Sequence, residues 1–342
     1  MRIVSIDDTD DGSRWDAYVT PRTATVTDLY AWRHIVREAY GMRSHFFAAM
    51  DGERIAGVVG LYEIRHPLFG HYLATAPFGN DGGLHYDDAS VRDSLVAEAR
   101  LLADRLKVSY LVIRSKTDEL DGFAIDRHYV SAIADLTGGA EAVWNNKVPS
   151  KTRNQVRRGM KEGFTVDTGH GQLGAFHDVF HRHMRVLGSP AHKTKFYESV
   201  IAHLGDRADF YVVRDGQALV AGALLFWVNG TAMNYHTVAL REYNARCPNY
   251  LIYWKMLEDS AGKGCTVFDM GRSEAESSNL KFKQNWGIEL VPLRYNYYLR
   301  TLKEVPFKDP RNPKYRIPIA IWQKLPLPVT RFLGPLLIPG LV

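Results

Sequence analysis

The sequence predicts an α/β protein with mixed sheets, built as two tandem copies of one unit and ending in a proline-rich arm. Three observations carry that expectation. Residues 45–64 (HFFAAMDGERIAGVVGLYEI) and 209–228 (DFYVVRDGQALVAGALLFWV) are both apolar runs broken once by Asp-Gly. Each run is followed by the same order of elements: strand, helix, buried strand, final strand. The chain then changes character, with eight of its 15 prolines lying between Pro306 and Pro339.

In the first half, a helix over 28–39 precedes the 45–64 hairpin. YLATAPF (72–78) is a third strand, 91–107 a helix, SYLVIRS (109–115) a buried strand and HYVSAIADL (128–136) the closing strand. The second half repeats this with a helix over 176–187, the 209–228 hairpin, AMNYHTVAL (232–240), a helix over 249–263 with Asn249 as its cap, TVFDMGRS (266–273) and PLRYNYYLR (292–300). Asp51-Gly52 and Asp215-Gly216 predict type I′ turns, whose central residues both take positive φ. Both buried strands end in Arg-Ser, and each closing strand is expected to complete its own half. The expected division is 1–146, a basic connecting helix over 147–163, 164–304, and an arm over 305–342.

Composition excludes several classes. Apolar residues make up 46% of the chain, enough to build cores rather than a disordered coil. Two cysteines, Cys247 and Cys265, form neither a disulfide framework nor a zinc-ligand spacing, which fits a reducing cytoplasm. The acidic N-terminus MRIVSIDDTDDGSRWD lacks the apolar core of a secretory signal, and no apolar run is long enough to span a bilayer. The net charge of +5 suits an anionic partner without requiring one. The apolar pieces of the arm either pack back on the protein or touch a membrane surface, helped by Lys324 and Arg331.

The segment KTRNQVRRGMKEG (151–163) is the most charged feature. With Lys147 it carries Lys151, Arg153, Arg157, Arg158 and Lys161 and no acid before Glu162. Pro149-Ser150 reads as its start with Ser150 as cap, and Gly163 as its stop. Arg153, Arg157 and Lys161 share one face; Val156 and Met160 mark the apolar side. Without interleaved aromatics it lacks the stacking platform of a single-strand grip. It is a phosphate clamp or a solvated basic face.

The tandem units, the basic segment between them, and FDMGRS (268–273), FKQNWG (282–287), NPKYR (312–316) and LPLPV (325–329) resemble the FemAB/FemX family of tandem GNAT acyltransferases. More narrowly, they resemble the FemAB-related proteins associated with PEP-CTERM/exosortase systems of Gram-negative bacteria. The resemblance covers nearly the whole chain and implies two GNAT folds. It also implies transfer of an amino acid from aminoacyl-tRNA to an amine of an envelope precursor. No long helical arm interrupts the second half, as in FemX-type members. Gram-negative envelopes lack the peptide bridges such enzymes build, so an exopolysaccharide or lipid-linked sugar stands equally as acceptor.

The resemblance places a catalytic lysine at Lys283, preceded by Phe282, where an ammonium would stabilise a tetrahedral oxyanion. Otherwise Lys283 is a surface lysine. Asp269 and Arg272, at the end of a buried strand, are candidates to orient the nucleophile and to hold a phosphate or carboxylate, or else they pair with each other. His236 is a candidate general base or a structural histidine. No nucleophile motif stands out, so direct transfer without a covalent intermediate is expected.

No tightly bound cofactor is expected, and the donor is aminoacyl-tRNA or acyl-CoA. The phosphate-cradling Q/R-x-x-G-x-G/A loop of acetyl-CoA enzymes is missing from both PFGNDGGLHYDD (77–88) and LREYNARCPN (240–249), although Arg241, Arg246 and Asn249 leave room for an anion. Lys151, Arg153, Arg157, Arg158, Arg272, Asn249 and Phe282 form the expected substrate-binding set, facing a phosphate-bearing precursor, a saccharide or tRNA. The expected location is the cytoplasm, at the inner face of the membrane. Three functions stand: a tRNA-dependent transferase, an acyl-CoA-dependent transferase, and a non-catalytic phosphate- or saccharide-binding module.

Overall fold

The protein is described by a computed structural model covering residues 1–6, 12–306 and 313–342, with side chains from 316 onward in the last segment. Part of the acidic N-terminus (7–11) and Asn312 of the NPKYR motif lie outside the described residues. In chain order the first half forms β1 (Arg2–Ile6), α1 (Ser13–Val19), α2 (Ala31–Tyr40), β2 (Arg43–Asp51), β3 (Arg54–His66), β4 (Gly70–Ala74), β5 (Leu84–Tyr86), α3 (Ala89–Arg105), β6 (Tyr110–Ser115) and β7 (Ala124–Asp126). There follow β8 (Tyr129–Asp135), α4 (Gly139–Ala142), α5 (Ser150–Lys161), β9 (Thr165–Thr168), α6 (Leu173–Leu187), α7 (Thr194–Leu204), β10 (Ala208–Asp215), β11 (Ala218–Val228) and β12 (Thr231–Ala239). The chain ends with α8 (Pro248–Gly262), β13 (Val267–Glu274), α9 (Ser278–Gln284), β14 (Glu289–Pro292), β15 (Arg294–Leu299), α10 (Pro313–Lys324) and α11 (Leu327–Leu337).

Both hairpins form where Asp-Gly predicted them, with a different turn. Asp51 pairs with Arg54 and Asp215 with Ala218, so the two-residue loops are Gly52-Glu53 and Gly216-Gln217. Only the glycines have positive φ, 61° and 57°, which is the type II′ pattern. Asp51 and Asp215 are strand ends, not turn centres.

The two sheets are not the contiguous halves expected. One has the order β1-β2-β3-β4-β6-β15-β7, with β5 on β3; the other runs β14-β8-β13-β12-β11-β10-β9. The closing strands are exchanged. β15 pairs antiparallel with β6, Arg294 opposite Ser115 through Leu299 opposite Tyr110, while β8 lies beside β13. One compact unit comprises Met1–Val130, Pro292–Phe307 and Pro339–Val342, the other Ser131–Val291 and Lys308–Ile338. The boundary expected at 146 therefore falls at Val130, and the basic helix belongs wholly to the second unit. Each closing strand has the apolar alternation to complete either sheet, and that alternation names no partner.

In the first unit α3 covers one sheet face, burying Val91, Leu95, Ala99 and Leu102 against Val59, Leu61, Leu73, Leu111 and Ile113. In the second, α8 does the same with Leu251, Ile252, Met256 and Leu257 against Ala223, Leu225, Phe268 and Met270. Burial of such aliphatic side chains stabilises by about 1.5–3 kcal/mol each. α10 and α11 pack on α6, so the proline-rich arm folds back as two helices.

Candidate active site

In the second unit β12 and β13 run parallel for three residues only: Thr231 opposite Val267, Ala232 opposite Phe268 and Met233 opposite Asp269. They then part, for two local reasons. On β12, Tyr235 is an extra residue between Asn234, opposite Leu225, and His236, opposite Leu224; such a bulge bends its strand. On β13, Gly271 takes φ 81°, open to glycine at little cost, and its N–H donates to Asp269 Oδ1 at 2.8 Å. Asp269 also accepts from Ser131 Oγ on β8 at 2.6 Å and is 3% exposed. It is thus a buried carboxylate that holds the kink.

Lys283 is anchored on β13 just past the last residue that pairs with β12. It is 3% exposed, and its Nζ donates to the carbonyls of Gly271 at 2.7 Å and Arg272 at 3.1 Å. Lys283 is a buried lysine, not a surface one. Burial pushes its pKa down to about 8; the charge of Asp269 opposes that shift and the charge of Arg272 adds to it. α9 delivers the side chain, capped by Ser277, whose hydroxyl accepts from Leu280 N–H at 3.1 Å. Phe282 anchors the same helix, its ring 5.1 Å from those of Tyr250 and Tyr253 on α8. Arg272 is exposed at the same strand end.

The basic helix α5 is tied to this region. Thr152 Oγ1 donates to the carbonyl of Asn285 just past α9. Gly159 lies so close to α8 that a Cβ there would stand 3.0 Å from the Cys247 carbonyl and 3.2 Å from Leu251 Cβ. The buried face of α5 is Thr152, Val156 and Gly159, while Met160 is 49% exposed. Pro149 takes the cap position without a side-chain bond and Ser150 is the first helical residue. Gly163, with φ 76°, ends the helix as expected.

The six basic residues differ in their engagement. Lys147 donates to Asp135 and Thr137, and with Thr137 holds the Asp135 carboxyl at about 2. Arg153 donates to the carbonyls of Trp144 and Asn145, each at 2.8 Å. Arg157 bonds Asn154 and lies over the Trp144 ring at 5.4 Å. Lys151, Arg158 and Lys161 are exposed.

His236 packs among rings, 4.5 Å from Phe180 and 4.3 Å from Tyr235, and it bonds neither Lys283 nor Asp269. Its Nε2 is buried without a hydrogen-bond partner among the described residues, and burial pushes its pKa down to about 3, so it is neutral at pH 7. Asn249 is not a cap. Cys247 with φ 60° takes that position, Pro248 follows, and Asn249 is half-buried in the first turn. Arg246 is held by Glu162 and Asp215 and stacks on Phe164 at 4.4 Å, so the anion site expected around it is occupied by protein carboxylates. Sequence reasoning missed Ser131, Thr152 and Gln155, whose Oε1 accepts from Cys247 Sγ at 2.9 Å; the last two sit inside the basic segment, where the charges stand out, and each acts through a partner distant in sequence.

The corresponding place in the first unit is closed. β4 and β6 are parallel only at Leu73–Leu111 and Ala74–Val112. Beyond them Gly82 N–H donates to the Arg114 carbonyl at 3.2 Å, and the Arg114 guanidinium donates to Ala76 O at 2.7 Å and Thr75 O at 3.3 Å. Both buried strands end in Arg-Ser, but Arg114 is 5% exposed and plugs its gap, whereas Arg272 faces solvent. Asp88 caps α3 by accepting from Ser90 and Val91 N–H, so the glycine-rich 77–88 loop meets the helix through a carboxylate.

Residues 148–284 match the model of an acetyltransferase (GNAT) domain. A crystal structure of FemX superposes with a TM-score of 0.67 at 14% identity, covering 88% of this chain and 98% of that one. A tandem GNAT protein from the clavulanic acid biosynthesis pathway superposes at 0.54 and 14% identity, covering 86% and 97%. The chain has a tandem GNAT fold. The chain is also similar to the C-terminal domain of a putative lysylphosphatidylglycerol synthetase from Agrobacterium fabrum, with a TM-score of 0.56, 13% identity, and 86% and 93% covered. A search of curated proteins found no significant match.

Proposed function

We propose that this protein is an acyltransferase of FemAB-like type, working in its second unit. It would pass an aminoacyl group from tRNA to an amine or hydroxyl of a phosphate-bearing envelope precursor or exopolysaccharide. We place the reaction in the cytoplasm, at the inner face of the membrane, and the motifs FDMGRS and FKQNWG support a PEP-CTERM/exosortase-type setting. The observation that carries the reading is the Lys283 ammonium on the edge of β13 where β12 has parted from it. An ammonium has three donors, and the Gly271 and Arg272 carbonyls use two.

The third donor is the one offered to the oxyanion. The acceptor amine attacks the ester carbonyl carbon, the C–N bond forms, and negative charge develops on the carbonyl oxygen beside Lys283. As the carbonyl re-forms, the C–O bond to the donor breaks. The alkoxide takes the Lys283 proton, which a pKa of about 8 makes available near neutrality. Lys283 regains a proton from the medium, which has received the one lost by the amine. Asp269 positions Gly271 and so the carbonyl that holds the lysine. Lys151, Arg158, Lys161 and Arg272 would hold the phosphates, with Asn249 and Phe282 lining the approach. His236, neutral and ring-packed, serves this scheme as a wall of the fold.

Two features favour tRNA over acyl-CoA as donor. Pro248 removes one N–H from the start of α8, and Arg246 is held by two carboxylates, which weakens that end as a pyrophosphate cradle. Incubation with charged tRNA and, separately, with acyl-CoAs tests the proposal. RNase-sensitive transfer is expected. RNase-insensitive transfer from a thioester assigns acyl-CoA as donor, and ligand binding without transfer from either identifies a binding module.

A further inference from the structure

Helix α11 is turned the wrong way for a helix that meets only water. Its inward residues are small: Thr330 is buried, and Gly334 lies where a Cβ would stand 3.2 Å from the Ala191 carbonyl. Its bulky residues face out, with Phe332 73% and Leu336 58% exposed and Val329 beside them. Residues 329, 332 and 336 share one helix face. α10 repeats the arrangement. Trp322 is buried and Ile319 packs on Gly188, while Ile317 and Ile321, four residues apart, are exposed. Both helices are fixed to α6: Gln323 donates to the Val186 carbonyl at 2.9 Å, Arg185 to that of Leu325 at 3.2 Å, and Arg331 pairs with Asp178. The apolar face is therefore presented by a rigid support. Val186 and Leu187, at the α6 end that α10 covers, are exposed too.

The charged residues of the arm itself have one sign, and Asp178 of α6 is taken up by Arg331 and Arg182. From 313 to 342 the chain carries Lys314, Arg316, Lys324 and Arg331 and no acidic residue. No helix among the described residues is long and apolar enough to cross a membrane. Two short helices with outward aliphatic and phenylalanine side chains and a wholly basic charge complement suit a surface that is apolar inside and anionic at its rim. We propose that the outer faces of α10 and α11 seat on an anionic lipid bilayer, lying in its interface, with Ile317, Ile321, Phe332 and Leu336 inserted and Arg316 and Lys324 at the headgroups. The contact is independent of the transfer reaction and needs neither donor nor acceptor.

Co-sedimentation of the full chain with vesicles tests this. Binding is expected to vesicles of phosphatidylglycerol and phosphatidylcholine in equal parts, to weaken with salt, and to be far lower on phosphatidylcholine alone. The triple variant Ile321→Ser, Phe332→Ser, Leu336→Ser should bind at least about tenfold more weakly, with unchanged circular dichroism because all three side chains are exposed. Lys324→Glu should lower binding on the mixed vesicles only. The proposal is overturned if the wild-type chain stays in the supernatant of the mixed vesicles, or if the triple variant binds as well as wild type. A dimer in sedimentation that the triple variant abolishes, without vesicle binding, would assign the face to a second copy instead.

Discussion

The Lys283 ammonium donates to the Gly271 carbonyl at 2.7 Å, two residues past the last β13 pair with β12. One side chain thus satisfies two carbonyls past the end of the β12–β13 pairing and presents a cation there. Lys283→Ala should therefore act twice. It should abolish transfer, and it should destabilise the second unit by about 1–3 kcal/mol, because two carbonyls lose their partner. Lys283→Arg separates the effects if it restores stability, read by urea unfolding, without restoring transfer. Full transfer by Lys283→Ala would remove the lysine from the chemistry.

The depressed pKa gives activity and stability opposite pH trends. Below about 8 Lys283 is charged in the folded chain, and it is charged in the unfolded chain too. Between about 8 and its ordinary value near 10.5 the unfolded chain binds more protons, so this group makes stability rise with pH there. Over the same window the ammonium is lost, so the transfer rate should fall, with a limb near pH 8. The two curves, measured by denaturant titration and single-turnover transfer, should cross in sign. A rate that continues to climb through pH 9 would contradict the assigned role.

The basic helix should divide into two groups under mutation. Charge reversal at the exposed Lys151 and Arg158 should weaken binding of a phosphate-bearing donor or acceptor and flatten its salt dependence, with little change in melting temperature. Arg153→Ala should do the reverse, lowering stability by about 1–3 kcal/mol as the Trp144 and Asn145 carbonyls lose their donor. Unchanged binding in the Lys151→Glu, Arg158→Glu double variant would make the exposed face a solvated one.

Arg114→Met tests the assignment of chemistry to the second unit. The guanidinium fills the gap between β4 and β6 through the Ala76 and Thr75 carbonyls. Its removal should cost the first unit about 1.5–3 kcal/mol, yet leave the rate constant of transfer within about twofold at temperatures where the protein stays folded. A large loss of rate without a loss of stability would point to the first unit instead.

Much of the fold is legible because its signals are local. The Asp-Gly pairs at 51–52 and 215–216 turn the chain wherever they stand, and the repeat of apolar runs follows from side-chain period alone. The turn type was not legible, since the strand register, not the dipeptide, decides that Gly52 and Gly216 occupy the first central position. Of the candidate site, Lys283, Asp269 and Arg272 were marked by a motif and gather at one strand end. His236 and Asn249 were marked by residue type alone; the structure sets His236 among aromatic rings and gives the cap of α8 to Cys247 instead of Asn249.

What the sequence determined by itself is the element order, the doubling of the unit and the basic character of 147–161, all properties of short windows. What only the tertiary structure decided is long-range. Alternation cannot tell β8 from β15 as the partner of β6, because either presents an apolar face to a waiting strand. The same Arg-Ser ending becomes a buried plug at Arg114 and an exposed group at Arg272, because the 75–83 loop folds over the first and Lys283 takes the carbonyls beside the second. That choice depends on which backbone carbonyls are left without partners after the sheets form, and no residue's own identity carries that information.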